Sequence, residues 1–457
     1  MTGLELDGQQ VGALLSRVAH RLGGFVDDLA AAPALGTGPL PAGLDDPPPQ
    51  TPRSADELLD LVMAAAAVGG NPAGPRFFGY IPGGGLVSSA VAETVARTVN
   101  RYTAIGDLAP GLVSIEESVL RWLAELFGLP AGTGGLTTTG GSQAMLSMLV
   151  AAREAHLGDD STGARLYLSD QAHHCVRKAA RIAGLPRDAV RPVATSDGRR
   201  LDPEALAAAV VEDRSGGRRP FLVVANAGTT NSGVVDPLGA VADVAAEHRL
   251  WTHVDACYGG FFQLTSRGRA RLRGIERADS VSLDPHKSLF LPYGTGVLLV
   301  REPATLVAGH SDADPGDYLQ DLRSGQLPDY ASMGTELTRE WRGLRLWLPL
   351  HLHGIDAFRA ALDEKLDLAA DAHDVLSRIA ALEVPEQPEL STVVFRHRDG
   401  DDASQALLAR IHESGRVWLS STRLDGRLTL RLSILAFRTH REHVDEALEL
   451  IAGAAGC

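Results

Sequence analysis

The chain reads as an α/β protein built on a mostly parallel central sheet, with a helical segment before the sheet and a small α+β domain after it. Three observations predict this. Between Arg76 and about Trp347, short β-branched runs alternate with alanine-rich helical stretches, which is the pattern of a largely parallel sheet covered on both faces. Several runs end in small polar residues, and in such sheets ligands bind at the carboxyl ends of strands. A chain of 457 residues is too long for one compact core and calls for two or three folding units.

The elements follow in order. Residues 11–31 carry apolar positions at helical spacing. The Pro/Gly-rich stretch 33–52 is loop or linker. A second helix is expected from Ser54, a suitable N-cap with Glu57 at the third position of a capping box, and it stops at Gly69-Gly70. Residues 1–74 are too few for a core of their own and are expected to dock onto this chain or onto a second copy. Residues 75–348 hold the sheet, with strands expected at 165–169, 221–225, 250–255, 280–283 and 296–300 and helices at 174–183, 203–211 and 237–248. Residues 349–457 form the small domain, with helices at 356–370 and about 441–452 and strands at 392–396 and 428–433.

Composition narrows the function. Hydrophobic residues are 44% and charged residues 22%, an ordinary globular mixture. The formal net charge of −14 repels phosphate backbones and anionic lipid, so neither nucleic acid nor membrane is expected as a partner. Three cysteines, Cys175, Cys257 and Cys457, make neither a disulfide framework nor a CxxC pair, and a reducing cytoplasm is expected. The first ten residues lack the basic and apolar regions of a signal peptide. The longest apolar runs, such as 61–68, are too short to span a bilayer. No HExxH occurs, so no metal site is expected.

Five places could carry chemistry. Residues 137–143, TTTGGSQ, open an apolar helical run. Gly140 and Gly141 would let an anion approach free amides, and Thr139 and Ser142 could donate hydroxyl hydrogen bonds, unless the stretch is a plain N-cap. His173 or His174 sits between a strand and a helix, where an imidazole could stack on a flat ligand or act as acid or base. Asn226 ends a strand ahead of Ala-Gly-Thr-Thr. Asp255 ends an apolar strand, and its partly buried carboxylate needs a positive partner, either a structural arginine or the protonated nitrogen of a heteroaromatic ring. Lys287 follows Asp284-Pro-His286 at the ligand edge, where desolvation is expected to lower its pKa and make it a nucleophile toward carbonyls. A phosphate site, a ring stacker, an acid for a ring nitrogen and an imine-forming amine are together the needs of pyridoxal 5′-phosphate (PLP).

The set resembles the group II PLP-dependent amino-acid decarboxylases, the family of aromatic amino-acid, histidine and glutamate decarboxylases. The matching segments are 75–82, 139–142, 169–173, 226–230, 253–256, 284–287 and 342–347, in family order over roughly 270 residues. The resemblance implies the PLP-dependent transferase-like fold (fold type I) and decarboxylation of an L-amino acid to its amine in a homodimer. It implies that Lys287 holds PLP through its ε-amine, that Asp255 pairs with the ring nitrogen, and that His173 stacks on the ring. Thr139, Gly140, Gly141 and Ser142 match the phosphate loop. Asn226, Asp284 and His286 are implied cofactor neighbours, and Tyr80 and Pro82 match a substrate-pocket segment. Tyr318, in the polar stretch 308–326, matches the proton donor to Cα; relatives that form aldehydes with O₂ tend to lack it. Asp284 stands where many relatives have asparagine, and Cys257 stands where a second alanine is common. Aldehyde-forming oxidative deamination on the same scaffold is the alternative chemistry, and an aromatic substrate is the default.

Overall fold

The computed structural model describes residues 3–196, 199–311 and 325–456. Helix α1 (Gly8–Asp28) opens on a capping box in which Asp7 accepts from the Gln10 amide at 2.8 Å and the Gln10 side chain accepts from the Asp7 amide at 3.0 Å. Helix α2 (Ala55–Ala66) does start after Ser54, but the Ser54 side chain makes no capping bond, contrary to the expected box. Its first turn instead carries Asp56 and Glu57, which suit the positive end of the helix dipole, and Asp56 and Asp60 are drawn to Arg17 and Arg21 of α1. Neither α1 nor α2 contains a buried residue.

Two helices, α3 (Val87–Val99) and α4 (Pro110–Leu126), lead into the sheet. The large unit alternates β1 (Gly134–Thr138), α5 (Gly141–Leu157), β2 (Ala164–Ser169), α6 (Cys175–Ile182), β3 (Val190–Val193), α7 (Pro203–Ser215), β4 (Arg219–Asn226), α8 (Leu238–His248) and β5 (Trp251–Asp255). Strand β6 (Ser280–Leu283), the single-turn helix α9 (Pro285–Ser288) and β7 (Gly296–Val300) complete it. The seven strands lie in the order β1-β7-β6-β5-β4-β2-β3. All neighbouring pairs are parallel except those made by β7, which runs antiparallel to both β6 and β1. Every residue of β2, β5, β6 and β7 is buried, so both faces of the sheet are covered.

The small domain has a four-stranded antiparallel sheet, order β8-β9-β11-β10, built from Leu382–Glu383 (β8), Thr392–His397 (β9), Ser420–Leu424 (β10) and Arg427–Ser433 (β11). Helix α10 (Gly343–His353) packs on α3 and α4 and leads into the small domain, whose helices are α11 (Ile355–Ser377), α12 (Asp401–Glu413) and α13 (Arg441–Ala454). Helix α11 straddles two cores: Phe358, Leu362 and Leu366 pack with the large sheet, whereas Leu368, Ala372 and Leu376 pack with the small one. A second tie is Arg431 on β11, only 3% exposed. It donates to the carbonyls of Tyr80 (3.1 Å), Thr230 (2.5 Å) and Asn231 (2.9 Å) and to Ser420 Oγ (3.0 Å). These partners are all uncharged, and burial lowers the guanidinium pKa to about 10.

Candidate active site

Strands β1, β2, β4, β5 and β6 point the same way, so Thr138, Ser169, Asn226, Asp255 and Leu283 close one edge of the sheet. A cavity of about 250 Å³ opens there, and Thr139, Gly140, Gly141, Ser142, His173, Asn226, Asp255, Asp284, His286 and Lys287 all line it. The sheet topology thus gathers ten of the residues singled out in the sequence, from five separate connections.

One wall is the start of α5. A Cβ on Gly141 would lie 2.4 Å from Cys257 Sγ and 3.2 Å from Asp284 Oδ2, so only glycine lets the backbone come this close. The Gly141 amide donates to Asp284 Oδ1 at 2.7 Å. The Thr139 amide and hydroxyl both donate to Gln143 Oε1, at 3.0 and 2.9 Å, which shapes the turn before the helix. Ser142 is exposed at the rim. The positive end of a 17-residue helix faces this corner, a position that favours an anion.

Across the cavity, Asp255 ends β5 and is 8% exposed. Its Oδ1 accepts from the Cys257 amide at 3.2 Å and from Ser282 Oγ at 3.5 Å. His253, two residues earlier, bridges Ser280 and Ser282 at 2.8 and 3.1 Å, and burial holds its pKa at about 4, so it braces β5 against β6 as a neutral ring. His173 Nδ1 accepts from the Cys175 amide at 3.3 Å, which assigns the ring proton to Nε2. Burial lowers the His173 pKa against the opposing pull of Asp255, so a neutral imidazole lines the cavity. Asn226 is fixed by Asp236, whose Oδ2 accepts from the Asn226 amide at 2.7 Å and from Nδ2 at 2.8 Å.

Lys287 corrects one expectation. Desolvation does act to lower its pKa, but the Asp284 carboxylate 2.9 Å away, with Asp255 behind it, outweighs burial and raises the pKa. The side chain is therefore an ion-paired ammonium, not a group made nucleophilic by burial alone. His286 is neutral for the opposite reason, because burial lowers its pKa more than Asp284 raises it. Its Nδ1 donates to the Thr295 carbonyl at 2.7 Å, leaving Nε2 to face Asp284 at 3.7 Å.

Two assigned residues do not line the cavity. Tyr80 adopts φ +56°, and its side chain is 66% exposed, because Ser420 Oγ accepts from its amide at 2.8 Å and Arg431 holds its carbonyl. Pro82 is buried just before Gly83, which abuts the His286 carbonyl behind the cavity wall. Tyr318 lies outside the described residues. The cavity also includes Cys175, Gly228, Thr230 and Tyr258, to which the sequence reading gave no role. Thr230 and Cys175 sit within a few residues of Asn226 and His173, so the strand-end rule applied one turn further would have found them. Among the described residues, no group of three or more His, Cys, Asp or Glu is placed to hold a metal ion.

This geometry fits PLP: a buried carboxylate, a lysine amine and a glycine-lined amide corner surround a space sized for one small ring. Residues 42–398 match the family model described as the pyridoxal-dependent decarboxylase conserved domain. The chain belongs to the pyridoxal-dependent decarboxylases. An aromatic-L-amino-acid decarboxylase of Bacillus atrophaeus is 33% identical over 83% of this chain and 81% of its own length. An L-2,4-diaminobutyrate decarboxylase of Rhizobium meliloti (strain 1021) is also 33% identical, over 95% of this chain and 86% of its own. The crystal structure of Oryza sativa TDC with PLP and tryptamine superposes with a TM-score of 0.94 at 28% identity, covering 100% of this chain and 99% of that one. This pyridoxal-dependent decarboxylase has the fold type I architecture, uses PLP and is a carboxy-lyase acting on an L-amino acid. No helix among its described residues is long and apolar enough to cross a membrane.

Proposed function

We propose that the protein decarboxylates an aromatic L-amino acid to its amine. The observation that carries the substrate class is the likeness, over the whole chain, to a structure holding PLP and tryptamine, beside the aromatic-L-amino-acid relative. Release of CO₂ across the proteinogenic amino acids and 2,4-diaminobutyrate, with amine, ammonia and H₂O₂ measured together, tests it. Tryptophan, tyrosine or phenylalanine should give amine without peroxide. Preference for diaminobutyrate would move the substrate to the cationic class, and peroxide matching CO₂ would move the reaction to aldehyde formation.

The residue roles we propose are supported by the lining of the cavity and, for Tyr318, by the family resemblance alone. Bound PLP supplies an electron sink for the pair left on Cα when the carboxylate departs as CO₂. Lys287 holds the cofactor by its amine. Asp255 keeps the ring nitrogen protonated, and its own position is fixed by the Cys257 amide and Ser282. His173, neutral and carrying its proton on Nε2, would stack on the ring. Thr139, Gly140, Gly141 and Ser142, at the positive end of α5, would hold the phosphate. Tyr318, by the resemblance, would deliver the proton to Cα. Tyr318→Phe should leave PLP binding intact and lower amine formation by about 10²-fold or divert it to aldehyde; unchanged amine output would remove Tyr318 from the reaction.

We also propose a cytoplasmic homodimer, divided near residues 74 and 348 into an N-terminal dimerisation segment, the PLP domain and the small domain. Helices α1 and α2 contain no buried residue. On α3, Val87, Val91, Val95 and Val99 recur every fourth residue, each at least 42% exposed, so one apolar stripe faces outward. A second copy would cover these surfaces. Sedimentation should show a dimer, and the double change Val91→Asp, Val95→Asp should weaken it by more than about tenfold; a wild-type monomer at micromolar concentration would contradict the assignment.

A further inference from the structure

We propose that Tyr258 is a positioning residue: it ties the seat of the small domain to the loop that carries Asp255 and to the turn that carries Lys287, and so sets how these two groups face each other across the cavity. The inference rests on the PLP reading above and deepens it by naming a residue that acts through Asp255 and Lys287.

Tyr258 lines the cavity, is 3% exposed and stands three residues after Asp255. Both ends of the residue are engaged. Its backbone carbonyl accepts from Ser288 Oγ at 2.6 Å, and Ser288, fully buried, is the residue after Lys287 on α9. Its phenol oxygen accepts from the Ser391 amide at 3.0 Å and shares hydrogen bonds with Ser391 Oγ and Thr392 Oγ1, each at 3.0 Å. A phenol both donates and accepts, and these three contacts use its one proton and two lone pairs. Ser391 and Thr392 stand at the start of β9 in the small domain, where Thr392 Oγ1 also reaches Ser433 Oγ on β11 at 3.4 Å.

The backbone around Tyr258 is shaped to admit this contact. Gly228 adopts φ +98°, and a Cβ there would lie 2.8 Å from the tyrosine ring and 2.8 Å from Leu390 of the small domain. A Cβ on Gly259 would lie 2.6 Å from the same leucine and would collide with the Ala227 carbonyl. Residues 390–392 therefore press on the cavity wall, and only glycine lets them come this close. Within the same loop, the Ala256 amide donates to the Ser282 carbonyl at 2.9 Å, and the Cys257 amide donates to Asp255 Oδ1 at 3.2 Å. The loop that orients the Asp255 carboxylate is thus bonded to β6, to the Lys287 turn and to the small domain, and Tyr258 supplies the last two bonds. Without the phenol oxygen, the fully buried Ser391 amide loses its acceptor. The small domain then has no fixed distance from the loop, and the slack reaches Asp255 directly and Lys287 through Ser288.

The test compares Tyr258→Phe, Ser288→Ala and Thr392→Val with Tyr167→Phe. Tyr167 is the control: it is fully buried in β2, donates to Asp213 Oδ2 at 2.8 Å and makes none of these contacts. In the protein without PLP, hydrogen exchange in Tyr258→Phe should quicken by about tenfold or more over both 284–291 and 389–395. Thr392→Val should quicken it over 284–291, a segment that Thr392 does not touch. With PLP bound, Tyr258→Phe and Ser288→Ala should each lower kcat by about tenfold with KM held within about twofold, and each should shift the visible band of the cofactor. Combined, they should cost less than the product of the two, because both cut one tie. Tyr167→Phe should lower the melting temperature and move neither kcat nor the band. A folded Tyr258→Phe with the wild-type kcat and band, a loss confined to KM, or faster exchange at only one of the two segments overturns the proposal. Should Tyr258→Phe not fold, Ser288→Ala and Thr392→Val decide in its place. A wild type without a visible band in the presence of PLP defeats the cofactor reading, whereas the exchange result stands or falls without the cofactor.

Discussion

Lys287→Ala is expected to stop amine formation, lowering kcat/KM by about 10⁴-fold or more, and to leave no covalent adduct after borohydride reduction in the presence of PLP. The expectation is unusually clean in this chain, because it has only three lysines, Lys178, Lys287 and Lys365. Lys178 is exposed on α6. Lys365 is fully buried in α11, where its ammonium is held by Glu364 and the Thr439 carbonyl. Peptide mass mapping should place the reduced adduct on Lys287 alone. Lys287→Arg separates charge from nucleophilicity: it keeps a cation opposite Asp284 but cannot condense with an aldehyde, so it should be as inactive as the alanine variant. An adduct on either of the other lysines, or activity in Lys287→Arg, would refute the assignment.

Asp255→Asn should lower kcat by about 10²- to 10³-fold. The amide keeps the shape and can still accept from the Cys257 amide and Ser282, so the fold should survive. It removes the negative charge that keeps the ring nitrogen protonated, so the loss should fall on kcat with KM little changed, and the visible spectrum of the bound cofactor should shift. Asp255→Glu, which restores the charge at a longer reach, should recover part of the rate. A variant that lost KM and stability but kept kcat would reduce Asp255 to a structural role.

Much of this was legible in the sequence, for identifiable reasons. Strands β6 and β7 match the expected 280–283 and 296–300: β7 is an apolar run after its first glycine, β6 alternates serine with valine and leucine, and both are buried throughout. Strand β1, Gly-Gly-Leu-Thr-Thr, was not foreseen, since glycine and threonine give little strand signal. Its conformation is imposed by β7, where Leu298 pairs with Leu136 and Gly296 with Thr138. Strand β3 contains Pro192 and is tolerated because it lies at the sheet edge. At the site, the strand-end rule found the right residues but not their charge states. The Asp284–Lys287 pair did have a signal, since residues three apart meet on one helical turn. The outward turn of Tyr80 had none, because it depends on β10 and on Arg431, some 350 residues away in the chain.

The Arg431 tie has a consequence for behaviour in concentrated electrolyte. Surface ion pairs such as Arg199–Asp425 and Arg267–Asp367 are weakened as dissolved ions screen them. The joint between the small domain and the Tyr80 and Thr230 segments is different: it is ion–dipole in nature, made to carbonyl and hydroxyl oxygens and sealed from solvent. Mobile ions have neither a counter-charge to displace nor access to the contact. High ionic strength should therefore loosen the protein's periphery while the two domains stay locked around the cavity.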